Sequence, residues 1–190
     1  MPAMPTIYII LGSTRDGRFG ETVAKWFYSV AARRTDMKVE LVDLKEWNLP
    51  FFMSAKTPSS GEYHDDLVKK WSEKIAAADG YVIVTAEYNH GYPAPIKNAL
   101  DHLYHEWKRK PVAFVSYGGA AGGARAAEQL KMVASELHMT AIRESVTVPM
   151  VWSAFDERGE PKDPKLNERV TVVLDDLFWW TNALKQAREA

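Results

Sequence analysis

The 190-residue sequence predicts an α/β protein: a doubly wound, five-stranded parallel sheet with helices on both faces. Three observations lead there. Short apolar, β-branched runs alternate with amphipathic stretches along the whole chain. The runs number five, which suits an open sheet better than a barrel of eight repeats. The stretches between them are long enough for the right-handed crossovers that parallel pairing demands. No linker interrupts the pattern, so one domain covering residues 1–190 is expected.

The first run, Thr6-Ile-Tyr-Ile-Ile-Leu11, is bounded by Gly12 and reads as a buried strand. Glu21 to Arg34 places Val23, Phe27, Val30 and Ala31 at helical spacing. Lys38 to Asp43 alternates, as a half-covered strand does. A loop rich in proline, serine and glycine follows from Asn48 to Gly61. Leu67, Trp71 and Ile75, four apart, make a helical stripe between His64 and Ala78; Asp65 and Asp66 favour its start through the helix dipole. Next come a strand at Tyr81–Thr85, a helix from about Pro95 to Trp107 and a strand at Pro111–Ser116. Leu130, Val133, Ala134 and Leu137 mark a helix over Ala124–His138. Thr140 to Val148 alternates again, and a last helix runs from about Pro164 to Ala187.

Composition removes several function classes. A net charge of −1 offers no basic footprint for nucleic acid, whose binding rests on phosphate neutralisation. No apolar stretch approaches the roughly 20 residues of a membrane span. The opening Met-Pro-Ala-Met-Pro leads into a strand without a basic segment and apolar core, so a cytoplasmic rather than secreted protein is expected. Cysteine is absent, which excludes disulfides, thiol redox chemistry and cysteine metal sites. Redox activity would therefore require a bound cofactor. His102 and His105, three apart, lack a third ligand at a recognisable spacing, and no metal site is expected.

In open parallel sheets ligands bind beyond the carboxyl ends of the strands, near the point where strand order reverses. Three loops of unusual composition fall there. Gly12-Ser-Thr-Arg-Asp-Gly-Arg-Phe-Gly-Glu-Thr22 joins a strand to a helix N-terminus, whose free N–H groups and partial positive charge favour a phosphate. Ser13 and Thr22 add hydroxyls, Arg15 and Arg18 add charge, and Gly12, Gly17 and Gly20 permit close approach or tight turning. The plainer alternative is a glycine-rich turn whose Ser and Thr cap the helix. The loop lacks a P-loop lysine and the glycine spacing of a dinucleotide fingerprint, so a monophosphate suits it better than a triphosphate.

The second loop supplies Glu87, Tyr88, Asn89, His90 and Gly91: backbone amides, a side-chain amide and an aromatic wall. Equally, Tyr88 and Tyr92 are surface aromatics, and Pro93 and Pro95 only start a helix. The third, Tyr117-Gly-Gly-Ala-Ala-Gly-Gly-Ala-Arg125, is a flexible turn or a place where a ring edge meets the backbone; its four glycines favour the second reading.

Together, Gly12-Ser-Thr-Arg15, Glu87-Tyr-Asn-His-Gly-Tyr-Pro-Ala-Pro-Ile-Lys-Asn-Ala-Leu-Asp101 and Ser116-Tyr-Gly-Gly119 followed by Gly122-Gly-Ala-Arg-Ala126 resemble the NADPH-dependent FMN reductase family. The resemblance runs from Ile7 to about Val148 and implies one flavodoxin-like, FMN-binding domain. It implies that Ser13, Arg15, Arg18, Gly20, Glu21 and Thr22 surround the phosphate. Glu87, Tyr88, Asn89 and His90 would line one side of the isoalloxazine, with Tyr117, Gly118 and Gly119 along its edge. Arg125 is a further candidate. Two departures stand out: Ala86 replaces the family's usual proline, and Arg18 and Gly20 stand where many members have Ser and Asn.

The implied activity is transfer of hydride from NADPH or NADH to FMN and on to a small-molecule acceptor, such as free flavin, a quinone, an azo dye or a metal oxyanion. One shared flavin face implies a ping-pong order, and no catalytic side chain is required. Two rivals remain: a flavodoxin-type electron carrier, for which a net charge of −1 is too weakly acidic, and a flavin-free module for a phosphorylated ligand. Trp47, Phe51, Phe52 and Met53, with Trp179 and Trp180, form either core or contact surface. As contact surface they favour an oligomer, and the resemblance points to a homodimer or homotetramer.

Overall fold

The computed structural model describes residues 4–190; Met1, Pro2 and Ala3 of the opening segment lie outside the described residues. Five strands, β1 (Thr6–Leu11), β2 (Lys38–Asp43), β3 (Gly80–Ala86), β4 (Pro111–Tyr117) and β5 (Thr140–Val148), form a single sheet in the order β2-β1-β3-β4-β5. Every pairing is parallel. The order reverses between β1 and β3, so the crevice expected for a ligand opens where those two strands end. The expected flavodoxin-like architecture is what the chain adopts.

Burial follows sheet position. The central strands β3 and β4 are buried at every residue, as strands covered on both faces must be. At the edge, β2 alternates and leaves Lys38 and Glu40 exposed. Helices α1 (Gly20–Ala31) and α7 (Lys165–Glu189) cover one face, closing a core around Phe27, Val84, Val115 and Leu174. Helices α3 (Asp66–Ala76), α4 (Ala94–Asp101) and α5 (Ala124–Glu136) cover the other, over Ile10, Trp71, Ile83, Trp107 and Phe114. Two four-residue helices were not expected from periodicity: α2 (Leu44–Trp47), which follows β2 directly, and α6 (Val151–Ala154), two residues past β5.

Three expectations need correction. The helix expected to reach Trp107 stops at Asp101; His105–Trp107 is a separate 3-10 turn that tucks Trp107 into the core. The helix expected from His64 starts at Asp66, because the Asp65 carboxylate accepts the N–H groups of Leu67 (2.8 Å) and Val68 (3.0 Å). The alternation of β5 is interrupted: Val112 pairs with Ala141 but Phe114 with Ser145, so β5 carries two extra residues in a bulge.

One buried charge bears on pH. Lys110, 7% exposed, donates to the carbonyls of Ile75 (3.1 Å) and Ala76 (3.0 Å) at the end of α3 and to the Tyr81 hydroxyl (3.1 Å). Burial, with Arg188 adding and Asp79 and Glu106 opposing, lowers its pKa to about 8. The unfolded chain then holds more protons than the folded one between about pH 8 and the ordinary lysine value, so this group adds stability as pH rises through that window. Wild type minus Lys110→Met should gain on the order of 2–3 kcal/mol between pH 8 and 10 in urea titrations. A flat difference would refute the assignment.

Candidate functional site

The carboxyl ends of β1, β3 and β4 bring the three singled-out loops together. Ser13, fully buried just beyond β1, shares a 2.6 Å hydrogen bond between its hydroxyl and that of Tyr88, beyond β3. The Glu87 N–H donates to the Tyr117 carbonyl (3.1 Å), joining the second loop to the third. The Glu87 carboxylate also accepts Arg125 Nε (2.6 Å) and the Arg125 N–H (3.3 Å), and so covers the otherwise uncapped start of α5. Burial alone would raise the Glu87 pKa, but Arg125 overcomes it and holds the carboxyl below the usual range. Glu87 and Arg125 therefore act on each other and brace the loop, and neither presents a free charge to a ligand.

The second loop turns tightly. Tyr88 and Gly91 exchange both backbone hydrogen bonds (2.9 and 3.1 Å), with Asn89 (φ 50) and His90 (φ 76) in the left-handed region between them. Asparagine tolerates that conformation better than histidine does. Gln129 of α5 holds the strained turn by donating to the His90 carbonyl (3.0 Å). Asn89 and His90 are exposed at its tip. Ala86 completes β3, paired with Tyr117.

In the first loop the expected residues divide. The Arg18 guanidinium is spent on the Asp43 carboxylate at the end of β2 and on the Ser13 carbonyl, so it pins the loop. Glu21 points outward and pairs with Lys25 (2.6 Å) on the surface. Half-buried Thr22 lies beside the turn at Gly159. Arg15 is exposed, with no ion pair among the described residues. Helix α1 has no side-chain cap, which leaves its first N–H groups for another acceptor. Against its first residue, Gly20, lies the Tyr117 ring, 4% exposed, its hydroxyl near that of Ser13 but without a well-formed hydrogen bond. Burial pushes that hydroxyl up to about 12; Tyr88 adds to the effect, while Ser13, Arg18 and Arg15 oppose it.

The third loop's glycines have two distinct causes. Gly122 (φ 57) and Gly123 (φ 83) serve internal packing: a Cβ on Gly123 would stand 2.7 Å from the Tyr117 nitrogen. Gly119 alone faces open space, bounded by Trp152 at 3.7 Å. The Gly118 and Gly119 carbonyls accept the N–H groups of Val151 and Met150 (3.0 Å each), which ties the segment after β5 to the site. Met150 and Trp152, both largely exposed there, were missed in the sequence, as were Asp43 and Gln129. Their position just past strand ends, or on the helix after the third loop, was the only available signal.

His102 and His105 each bond a carbonyl of the 48–61 loop, Pro50 (2.8 Å) and Ser59 (2.9 Å), and secure that loop to α4 and the turn beyond it. Above them lies a cleft of about 400 Å³ lined by Phe51, Phe52, Met53, Tyr63 and Val68. Trp47 instead packs on Trp71, ring centres 4.9 Å apart, while Phe51, Met53 and Trp179 are well exposed.

The geometry suits a ligand with an anionic end at α1 and a planar body between the second and third loops. The model of the NADPH-dependent FMN reductase family matches residues 5–153. The chain belongs to that family. It is thus an oxidoreductase that works with FMN and NAD(P)H. It is 47% identical over 147 residues to an NAD(P)H-dependent FMN reductase of Schizosaccharomyces pombe, covering 76% of this chain and 72% of the relative. An NAD(P)H-dependent FMN reductase of Saccharomyces cerevisiae is 35% identical over 178 residues, covering 87% and 93%. Among solved structures, the flavoenzyme FerB of Paracoccus denitrificans superposes with a TM-score of 0.76 at 23% identity, covering 94% of this chain and 98% of its own, a likeness of fold. No helix among the described residues is long and apolar enough to cross a membrane.

Proposed function

We propose that the chain binds FMN across its three converging loops and uses it, by a ping-pong route, to pass hydride from NAD(P)H to a small acceptor: free flavin, a quinone, an azo dye or a metal oxyanion. The observation that carries this reading is the join of the loops through Ser13–Tyr88 and Glu87–Arg125 beside an uncapped helix start. Bound FMN supplies the redox chemistry. The chain's part is to hold and to tune. The first N–H groups of α1 and the Ser13 hydroxyl suit the phosphate. Arg15 adds an exposed cation, and Arg18 fixes the loop's shape through Asp43. The Tyr88–Gly91 turn walls one side of the ring, and the open space at Gly119 lets its edge meet the backbone.

No side chain in the cluster is arranged as a nucleophile with its base, in keeping with chemistry carried by the cofactor. The exposed Phe51, Met53 and Trp179 supply surface for self-association, and we infer a homodimer or homotetramer. A net charge of −1 speaks against a carrier that docks through an acidic face.

The test is optical and kinetic. Mixed with FMN and desalted, the protein should stay yellow, and anaerobic NADPH or NADH should bleach it within the mixing time of a hand assay. Initial rates at several quinone concentrations should give parallel double-reciprocal lines. Colour without bleaching would leave only an electron carrier, lack of colour would end the flavin reading, and intersecting lines would remove the ping-pong order.

A further inference from the structure

Tyr117 closes β4 with its ring 4% exposed and its hydroxyl without a well-formed hydrogen bond, although more than nine in ten buried polar groups find a partner. Such a hydroxyl costs stability unless something else uses it. Its position says what that is. The ring lies against Gly20, where even a methyl group would overlap the hydroxyl oxygen, so the hydroxyl sits at the first residue of α1. That helix start has no side-chain cap. The Ser13 hydroxyl lies close enough to oppose the rise in the Tyr117 pKa, but its well-formed hydrogen bond is the one to Tyr88 at 2.6 Å.

We infer that the Tyr117 hydroxyl is a ligand of the FMN phosphate, donating a hydrogen bond to one of its oxygens from beneath the α1 N-terminus. This assignment rests on the FMN reading of the site and moves Tyr117 from the ring edge, where the family resemblance put it, to the anionic tail. A helix start favours an anion through its free N–H groups and dipole; a phenol donor beside it adds a charge-assisted bond. Arg15 and Arg18 make the same neighbourhood positive, though Arg18 is held by Asp43. The polar groups that act on the hydroxyl are the Ser13 and Tyr88 hydroxyls and the Arg15 and Arg18 guanidinium groups, all able to donate, which suits an anion better than a carbonyl rim.

FMN and riboflavin separate the possibilities, since they share the ring and differ by the phosphate. Dissociation constants for both should be measured by flavin fluorescence quenching on wild type and Tyr117→Phe. The variant should bind FMN roughly tenfold more weakly or worse, and riboflavin within roughly twofold of wild type. The apo variant should also melt a few degrees higher, because an unpaired buried hydroxyl is gone. Equal weakening toward both flavins would place Tyr117 at the ring and overturn the assignment. No change toward either would mean the hydroxyl is satisfied by water alone, and would overturn it too. A wild type that binds neither flavin sinks the FMN reading itself. Should the variant not fold, wild type labelled at tyrosine ¹³Cζ decides: FMN, and not riboflavin, should shift the Tyr117 resonance.

Discussion

Gly123→Ala is expected to destabilise the protein by about 3 kcal/mol or more, the sum of a left-handed backbone penalty and an overpacking cost. The residue has φ 83, where an L side chain is strained whatever the space. Its new Cβ would stand 2.7 Å from the Tyr117 nitrogen, 2.9 Å from the Tyr117 carbonyl oxygen and 2.9 Å from Ser116 Cβ. The first two are backbone atoms of β4, a strand paired with β3 on one side and β5 on the other, so they cannot yield without tearing the sheet at the site. The Gly123 carbonyl also accepts the Ala127 N–H (3.1 Å), so a shift would unseat the start of α5 and with it Arg125. Gly119→Ala is the internal control. Its Cβ meets only Trp152 at 3.7 Å, and its φ is not left-handed, so less than about 1 kcal/mol is expected. Urea unfolding of both variants checks the contrast. Equal midpoints would mean that Gly123 is free to move and that the third loop is soft.

That contrast shows where the sequence was informative. Strand positions were legible because burial on two faces writes itself as continuous apolar runs, Tyr81–Thr85 and Pro111–Ser116, while the edge strand Lys38–Asp43 writes itself as alternation. Those patterns set the fold and which loops share an edge of the sheet. Partners within the loops were not legible. Arg18 looked like a phosphate ligand, yet Asp43 claims it, because strand order puts the end of β2 beside the end of β1. Glu87 and Arg125 were expected at the ligand but satisfy each other across 38 residues. The glycines of the third loop suggest room for a ring, but two of them make room for β4 and for Pro149. Composition marks a loop as special, whereas only the sheet says which charges in it are already spent. The helix end at Asp101 escaped for a similar reason. Trp107 keeps the helical spacing but reaches the core through a 3-10 turn, its indole N–H donating to the Leu100 carbonyl (3.2 Å).

Gly20→Ala is expected to weaken FMN binding roughly thirtyfold or more, the equivalent of about 2 kcal/mol. Helix propensity alone predicts the opposite sign for stability, since alanine inside a helix is better than glycine by about 1 kcal/mol. Packing decides the matter. The added Cβ would overlap the Tyr117 hydroxyl oxygen and stand 3.0 Å from Tyr117 Cζ and 2.9 Å from Leu11 Cδ1. The leucine methyl can rotate away. The tyrosine ring cannot, because its own backbone is wedged against Gly123. The ring must tilt or α1 must lift, and either movement changes the start of α1, where we propose the phosphate sits. Adding Tyr117→Phe to Gly20→Ala removes the worst overlap. The double variant should therefore recover most of the lost stability yet none of the FMN affinity. Thermal melts and flavin fluorescence titrations of the two single variants and the double variant read both quantities. A Gly20→Ala protein that is more stable than wild type and binds FMN as tightly would show that the α1 start and Tyr117 are not packed as described.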